Sequence, residues 1–196
     1  MICSDYKSTR IDVEQGSQEW LRLRRSHVCA SDSLIVMELS PWRTRKELLE
    51  EKRGEREPQQ VNWAMQRGTL LEPKARSFAE NLFDTLFIPE VHVSEEYPFM
   101  LASYDGISFD GKIILEIKCP GKKAHSEAMH GKIPSYYKPQ LQHQMAVRGS
   151  DCVHYLSYYE EKGKIEGILI IEKRDEEFIK NMIEMEYEFY DEMTRF

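Results

Sequence analysis

The sequence predicts an α/β (α+β) chain built on a central mixed β-sheet flanked by helices, on three observations. Short β-prone runs gather in the middle of the chain and again after residue 150, amphipathic helical spacing brackets them, and Asp110-Gly111 and Lys162-Gly163 mark reversals between neighbouring runs. The resulting order is helices, strands, helix, strands, helix, which suits a mixed sheet covered by helices. With 196 residues, 41% hydrophobic and 31% charged, the chain is expected to form one domain over 1–196, and no tract suggests a disordered or collagen-like class.

The elements follow in chain order. Thr44-Arg45-Lys46-Glu47 has capping-box spacing, so a helix through Leu48 and Leu49 is expected, followed by a surface loop from Gly54 to Gln60. From Gly68, the positions Leu71, Ala75, Phe78, Ala79 and Leu82 keep helical spacing, with Pro73 placed in the first turn and Glu72 near the helix start. Leu86 to Val93, Phe99 to Ser103 and Lys112 to Lys118 read as strands, with a two-residue hairpin turn at Asp110-Gly111. Ser135 to Val147 reads as a helix, Cys152 to Tyr159 and Ile165 to Ile171 as two more strands, and Asp175 to Met193 as a terminal amphipathic helix.

Composition narrows the function classes. No apolar run approaches the ~20 residues of a membrane span, and the start MICSDYKSTR lacks a secretory apolar core, so a cytoplasmic protein without membrane attachment is expected. Cys3, Cys29, Cys119 and Cys152 form no CxxC pair and are expected as reduced thiols. A net charge of -7 removes any case for nucleic-acid binding from bulk basicity, but a carboxylate cluster that holds cations is compatible with it.

The informative segment is Ser103-Tyr104-Asp105-Gly106 followed by Leu115-Glu116-Ile117-Lys118, a D-x(10)-E-x-K pattern. Residues two apart on a strand share a face, so Glu116 and Lys118 project together while Ile117 turns into the core. A hairpin brings Asp105 alongside. Asp105, Glu116 and the Ile117 carbonyl offer hard oxygen ligands for Mg²⁺, with one or two ions, the latter about 3.5–4 Å apart, serving phosphodiester hydrolysis. Lys118 could hold the attacking water or take its proton. The bland alternative is a turn at Asp105-Gly106 and a solvated edge strand; the apolar run Ile113, Ile114, Leu115 and Ile117 weighs against it, because charge in such a strand is costly.

With these residues in hand, the chain resembles the lambda exonuclease or YqaJ-type viral recombinase family of PD-(D/E)XK nucleases, from Gly16 to about Lys173. Trp20-Leu21-Arg22-Leu23-Arg24 with Ala30-Ser31, Gly68 to Glu72, Ser103 to Gly106, Leu115 to Pro120, and Tyr137 to Gln142 carry the resemblance in order. It implies a restriction-endonuclease-like core and a 5′→3′ exonuclease that removes 5′ mononucleotides from duplex ends. Asp105, Glu116, Ile117 and, through its waters, Glu72 would serve two Mg²⁺ ions, which Mn²⁺ replaces; Lys118 would act on the water and Gln140 would position it. Arg24 and Ser31 would grip the 5′ phosphate, with Arg25, Ser103 and Gln142 as further DNA contacts. The family also implies a ring-shaped homotrimer and a single-strand annealing partner for the 3′ overhang. Ser26 and Cys29 depart from the family's Gly and Thr-Ala-Ser pattern near the phosphate pocket. Trp20 and Trp63 are read as core or loop anchors. The rival readings are a PD-(D/E)XK endonuclease of another pathway, including the iron–sulfur nucleases of CRISPR adaptation, and a catalytically silent DNA-binding module.

Overall fold

The computed structural model describes residues 7–58, 60 and 62–195; Cys3 and Gln59, on which expectations above fall, lie outside the described residues. Among the described residues seven strands join one sheet: β1 (Ser8–Ile11), β2 (Val28–Cys29), β3 (Phe87–Ser94), β4 (Met100–Ser108), β5 (Ile114–Lys118), β6 (Cys152–Glu161) and β7 (Lys164–Lys173). The order is β1-β3-β4-β5-β6-β7, with β2 beside β4. The sheet is mixed as expected, since β5 runs parallel to β6 and β2 to β4 while the other pairs are antiparallel.

Seven α-helices surround it among the described residues: α1 (Gln18–Ser26), α2 (Ser33–Val36), α3 (Arg45–Arg53), α4 (Trp63–Phe83), α5 (Lys122–Met129), α6 (Lys138–Arg148) and α7 (Glu176–Thr194). The capping box forms as the spacing predicts, with Thr44 N–H donating to Glu47 at 3.0 Å, and Gly54 ends α3 at φ 79°. Asp175 caps α7 by accepting from Phe178 N–H at 3.1 Å. Among the described residues no helix is long and apolar enough to cross a membrane, and Cys29, Cys119 and Cys152 are free thiols.

Two expectations need correction. Asn62, not Gly68, begins α4, its side chain accepting from Met65 N–H at 3.0 Å, so Pro73 and Glu72 lie in the helix interior. Pro73 removes one helical bond at a cost of about 3 kcal/mol. Burial of Leu71, Ala75 and Ala79 against the sheet carries the helix through it. The reversal between β4 and β5 is also wider than two residues: Ser108 N–H donates to Ile113 O at 2.9 Å, and Gly111, not Asp110, takes the left-handed conformation at φ 76°. Lys162-Gly163, at φ 50° and 80°, is the two-residue turn its sequence suggests.

The sheet separates two apolar layers. On one face Tyr104, Ile107, Ile114 and Tyr155 pack with Leu141 and Met145 of α6 and with Ile179, Met182 and Phe189 of α7. On the other, Leu115, Ile117, Leu156 and Tyr158 meet Leu71, Ala75 and Ala79 of α4. Helix α6 is buried from Leu141 to Arg148, so its polar residues must find partners inside the protein. Where those partners lie decides the geometry of the site.

Candidate active site

Strand β4 carries one residue more than β3 where they pass each other. Tyr104 faces Glu90 and Ile107 faces Ile88, leaving Asp105 and Gly106 opposite Pro89. A proline cannot donate to the ladder, and a bulge is how a sheet absorbs that gap. Gly106 is required at this crossing, because a Cβ there would lie 2.7 Å from the Cβ of Phe87. Pairing of β4 with β5 ends at Gly106 and Leu115, and beyond it the Asp105 carboxylate accepts the Ile117 N–H at 2.7 Å. A side chain thus replaces a ladder bond, and Asp105 is fixed beside β5.

Glu116, 1% exposed, points to the α6 face. Its Oε1 accepts from the Lys118 ammonium and from Gln140 Nε2 at 2.7 Å, and its Oε2 from Gln144 Nε2 at 2.5 Å. The Lys118 ammonium lies 5.2 Å from the ring centroid of Tyr137. From the opposite layer, Arg76 donates to the Asp105 carbonyl at 2.9 Å and to the Glu72 carboxylate, bringing Glu72 toward Asp105. The expected grouping of Asp105, Glu116 and Lys118 on adjacent strands is therefore present in the fold, with Ile117 turned into the α4 layer.

The electrostatics of this group are unbalanced. Burial, and then the Glu116 carboxylate, push Asp105 well above the usual carboxylate range, against the pull of Lys118. Burial would lower the Lys118 ammonium, but Glu116 and Asp105 outweigh it and raise it. Among the described residues no group of three or more His, Cys, Asp or Glu side chains could hold a metal ion. The available donor set is two carboxylates and a backbone carbonyl. Ionised carboxylates have about four lone-pair sites, so the three donors on Glu116 leave capacity, and hard oxygen donors with surplus negative charge fit a Mg²⁺ ion that keeps several waters.

The second expected group lies where α1 meets the turn Ala30–Asp32. Arg24 donates to Ser31 Oγ at 2.9 Å, and its guanidinium stacks 4.6 Å from the centroid of Trp20. Trp20 in turn donates to Ser103 Oγ at 2.9 Å, so Ser103 seats α1 on β4, two residues before Asp105. Arg22, Arg24, Arg25 and Arg56 line one cavity of about 390 Å³. Arg25 also donates to Lys52 O at 3.2 Å, and lies so close to Gly54 that any side chain there would overlap its guanidinium. A neighbouring cavity of about 480 Å³ runs past Ser31, Trp42, Tyr136 and Tyr137 to Gln140, joining the two groups.

Gln142 must be corrected as a DNA contact. It is fully buried, donating to Glu172 at 3.0 Å and Lys173 O at 2.8 Å and accepting from Asp175 N–H at 2.9 Å. Side chains four apart share a helix face and those two apart do not, so Gln144, not Gln142, accompanies Gln140 to Glu116. That spacing was the available signal for Gln144. Trp63 also departs from its expected role as an anchor, being 68% exposed at the start of α4. Arg76, Tyr137 and the buried pair Lys52 and Asp32 were not anticipated, although a lysine and an aspartate drawn inside give no local pattern.

Comparison with known proteins places this geometry in context. Residues 19–151 match the YqaJ-like viral recombinase domain. The uncharacterized protein YqaJ of Bacillus subtilis (strain 168) is 29% identical over 185 residues, covering 91% of this chain and 57% of that protein. The chain superposes on LHK-Exo in complex with dAMP with a TM-score of 0.77 at 28% identity, over 90% of this chain and 92% of that one. It superposes on the alkaline exonuclease LHK-Exo from Laribacter hongkongensis with a TM-score of 0.72 at 29% identity, over 90% and 92%. A phage-related exonuclease from Haemophilus somnus 129PT shares the fold, with a TM-score of 0.59 at 15% identity over 85% and 94%.

Proposed function

This chain belongs to the YqaJ-like viral recombinase family, and from that premise we propose that it is a Mg²⁺-dependent 5′→3′ exonuclease that removes mononucleotides from duplex DNA ends. The observation that carries the proposal is that half-buried Asp105 and buried Glu116 lie together, beside the Lys118 ammonium, with less cation than carboxylate around them. Such an excess is costly in a folded protein unless a cation offsets it. Likeness to two structures of one exonuclease, LHK-Exo, at 28% and 29% identity supports the same activity, as does the dAMP bound in one of them.

Asp105, Glu116 and the Ile117 carbonyl would hold one or two ions, Mn²⁺ replacing Mg²⁺, and Glu72 would support them through their waters. The bound ions supply charge neutralisation at the scissile phosphate and an acidified water. Gln140 and Gln144, with Lys118, fix the Glu116 carboxylate and leave about one lone-pair site, on Oε2, for an ion. Lys118, cationic while Glu116 and Asp105 raise it, holds the attacking water by donating from Nζ; a role as general base needs that rise reversed. Arg24 and Ser31 receive the terminal 5′ phosphate, a task suited to a guanidinium fork, and Arg25 extends the same basic wall. The terminal nucleotide then spans the cavity from Ser31 to Gln140.

Residues 1–196 act as a single nuclease domain, three copies closing a ring around the duplex, in the cytoplasm of a bacterial or phage-infected cell. The 3′ strand passes to a single-strand annealing recombinase. End-labelled linear duplex with a 5′ phosphate is degraded with Mg²⁺ and spared with chelator, while closed circles survive. Cutting of circles would favour an endonuclease instead, and inertness on both would favour a silent DNA-binding module.

A further inference from the structure

Resting on that 5′-phosphate grip, we propose that the buried Lys52–Asp32 ion pair is a positioning device that holds Arg24 and Ser31 in register for the terminal phosphate. Lys52 reaches in from α3, 8% exposed, and its ammonium has three protons to place. It donates to Arg24 O at 2.5 Å and His27 O at 2.8 Å, and pairs with Asp32 Oδ2 at 2.6 Å. Two of these acceptors are carbonyls at the C-terminal end of α1, where the helix dipole favours a cation. The third belongs to the turn that carries Ser31. Asp32 also accepts Cys29 N–H at 2.9 Å, which closes that turn on itself.

One ammonium therefore ties the backbone that presents Arg24 to the turn that presents Ser31. The two grip side chains meet at 2.9 Å as a result. An apolar pair of similar volume would stabilise the fold as well as a buried ion pair, because desolvation cancels much of the attraction. What the charged pair adds is direction: Lys52 must satisfy three acceptors at once, and none can shift without stranding a buried charge. With its Nζ protons taken by Arg24 O, His27 O and Asp32, Lys52 acts through Arg24 and Ser31.

The test compares kcat/KM on 5′-phosphorylated and 5′-hydroxyl linear duplex for the wild type, Arg24→Ala, Lys52→Met and the double variant Lys52→Met/Asp32→Asn, each checked for cooperative melting. The double variant removes both charges and keeps the protein foldable should the single one fail. The preference for the phosphorylated end falls by about tenfold or more in the Lys52 variants, the order expected for a misplaced charge-assisted bond, with the loss in KM for that end and not in kcat. A folded double variant that retains the wild-type preference overturns the positioning role. A wild type indifferent to the phosphate, or an Arg24→Ala variant with undiminished preference, overturns the grip itself and this inference with it.

Discussion

Two aspartates are drawn into this molecule, and their surroundings treat them in opposite ways. Asp32 would be raised by burial, but Lys52 and Arg24 outweigh it and hold the carboxyl below its usual range. Asp105 is half-buried beside Glu116, with Glu72 nearby, and Lys118 cannot compensate for desolvation and these charges, so it stands well above that range. One site is neutralised by the chain itself and is finished on folding. The other is left short of positive charge, as a cation-binding centre should be. The contrast separates a carboxylate that organises structure from one that the proposed function assigns to chemistry, although both are Asp in sequence.

The contrast can be broken most forcefully at Lys118. Lys118→Ala should lower kcat by about 10²–10⁴-fold, the usual yield of a group acting on the attacking water, while duplex binding by gel shift persists. Full activity in that variant would remove the carboxylate centre from the mechanism. Next in size is Asp32→Asn, which strands the Lys52 charge and should cost about 3–5 kcal/mol in urea unfolding, as breaking a buried pair does. The pH dependence follows from the sign of its shift. With the folded pKa of Asp32 depressed, its contribution is complete above the unfolded value of about 3.9 and is lost as pH falls through the folded one, so the unfolding midpoint should drop on acidification below about pH 4 in the wild type and change less in the variant.

Arg24→Ala should reduce the preference for a phosphorylated 5′ end by roughly 10–100-fold, matching about 1.5–3 kcal/mol for a hydrogen bond to a charged group. Asp105→Asn is the smallest expected effect on stability and the sharpest in sign. A carboxyl raised in the folded state stabilises fully only below its unfolded pKa and loses that contribution as pH rises through the folded value, so ionised Asp105 is a burden at neutral pH without metal. Replacement should raise the melting temperature of the chelated protein at pH 8, by about 2–4 °C for each kcal/mol relieved, and abolish the further rise on adding Mg²⁺. A lower melting temperature in chelator would show that Asp105 is not strained by its neighbours.

What could be read in advance follows the range of the interactions involved. Asp105, Glu116 and Lys118 were legible because a strand repeats every two residues and the reversal between β4 and β5 fixes which strand lies alongside. The Thr44 cap and the Lys162-Gly163 turn were legible because each is settled within four residues. The start of α4 was misjudged because Pro73 obeys a local rule that burial of Leu71, Ala75 and Ala79 overrides. Gln142 was assigned through the family pattern over Tyr137 to Gln142, which does not say which glutamine turns inward, whereas the helix sends Gln140 and Gln144 to Glu116 and Gln142 to β7. The Lys52–Asp32 pair bridges elements separated by α2 and the start of α3, and no spacing announces it.

The bulge opposite Pro89 makes the position of Asp105 a matter of parity. With two residues of β4 set against one of β3, the side chains on either side of the crossing swap the surface they address, which is why Tyr104 and Ile107 share one apolar layer despite being three apart. Deleting Gly106 would even out the strands and leave Tyr104 and Ile107 two apart on the same face, so neither half of β4 would turn over; what it would remove is the extra residue at which Asp105 departs from regular pairing with β3. Chain length at this crossing should therefore matter to Asp105 more than to the apolar layers, while β6 and β7, joined by a tight turn at the rim, could be shortened together in steps of two without disturbing what faces inward.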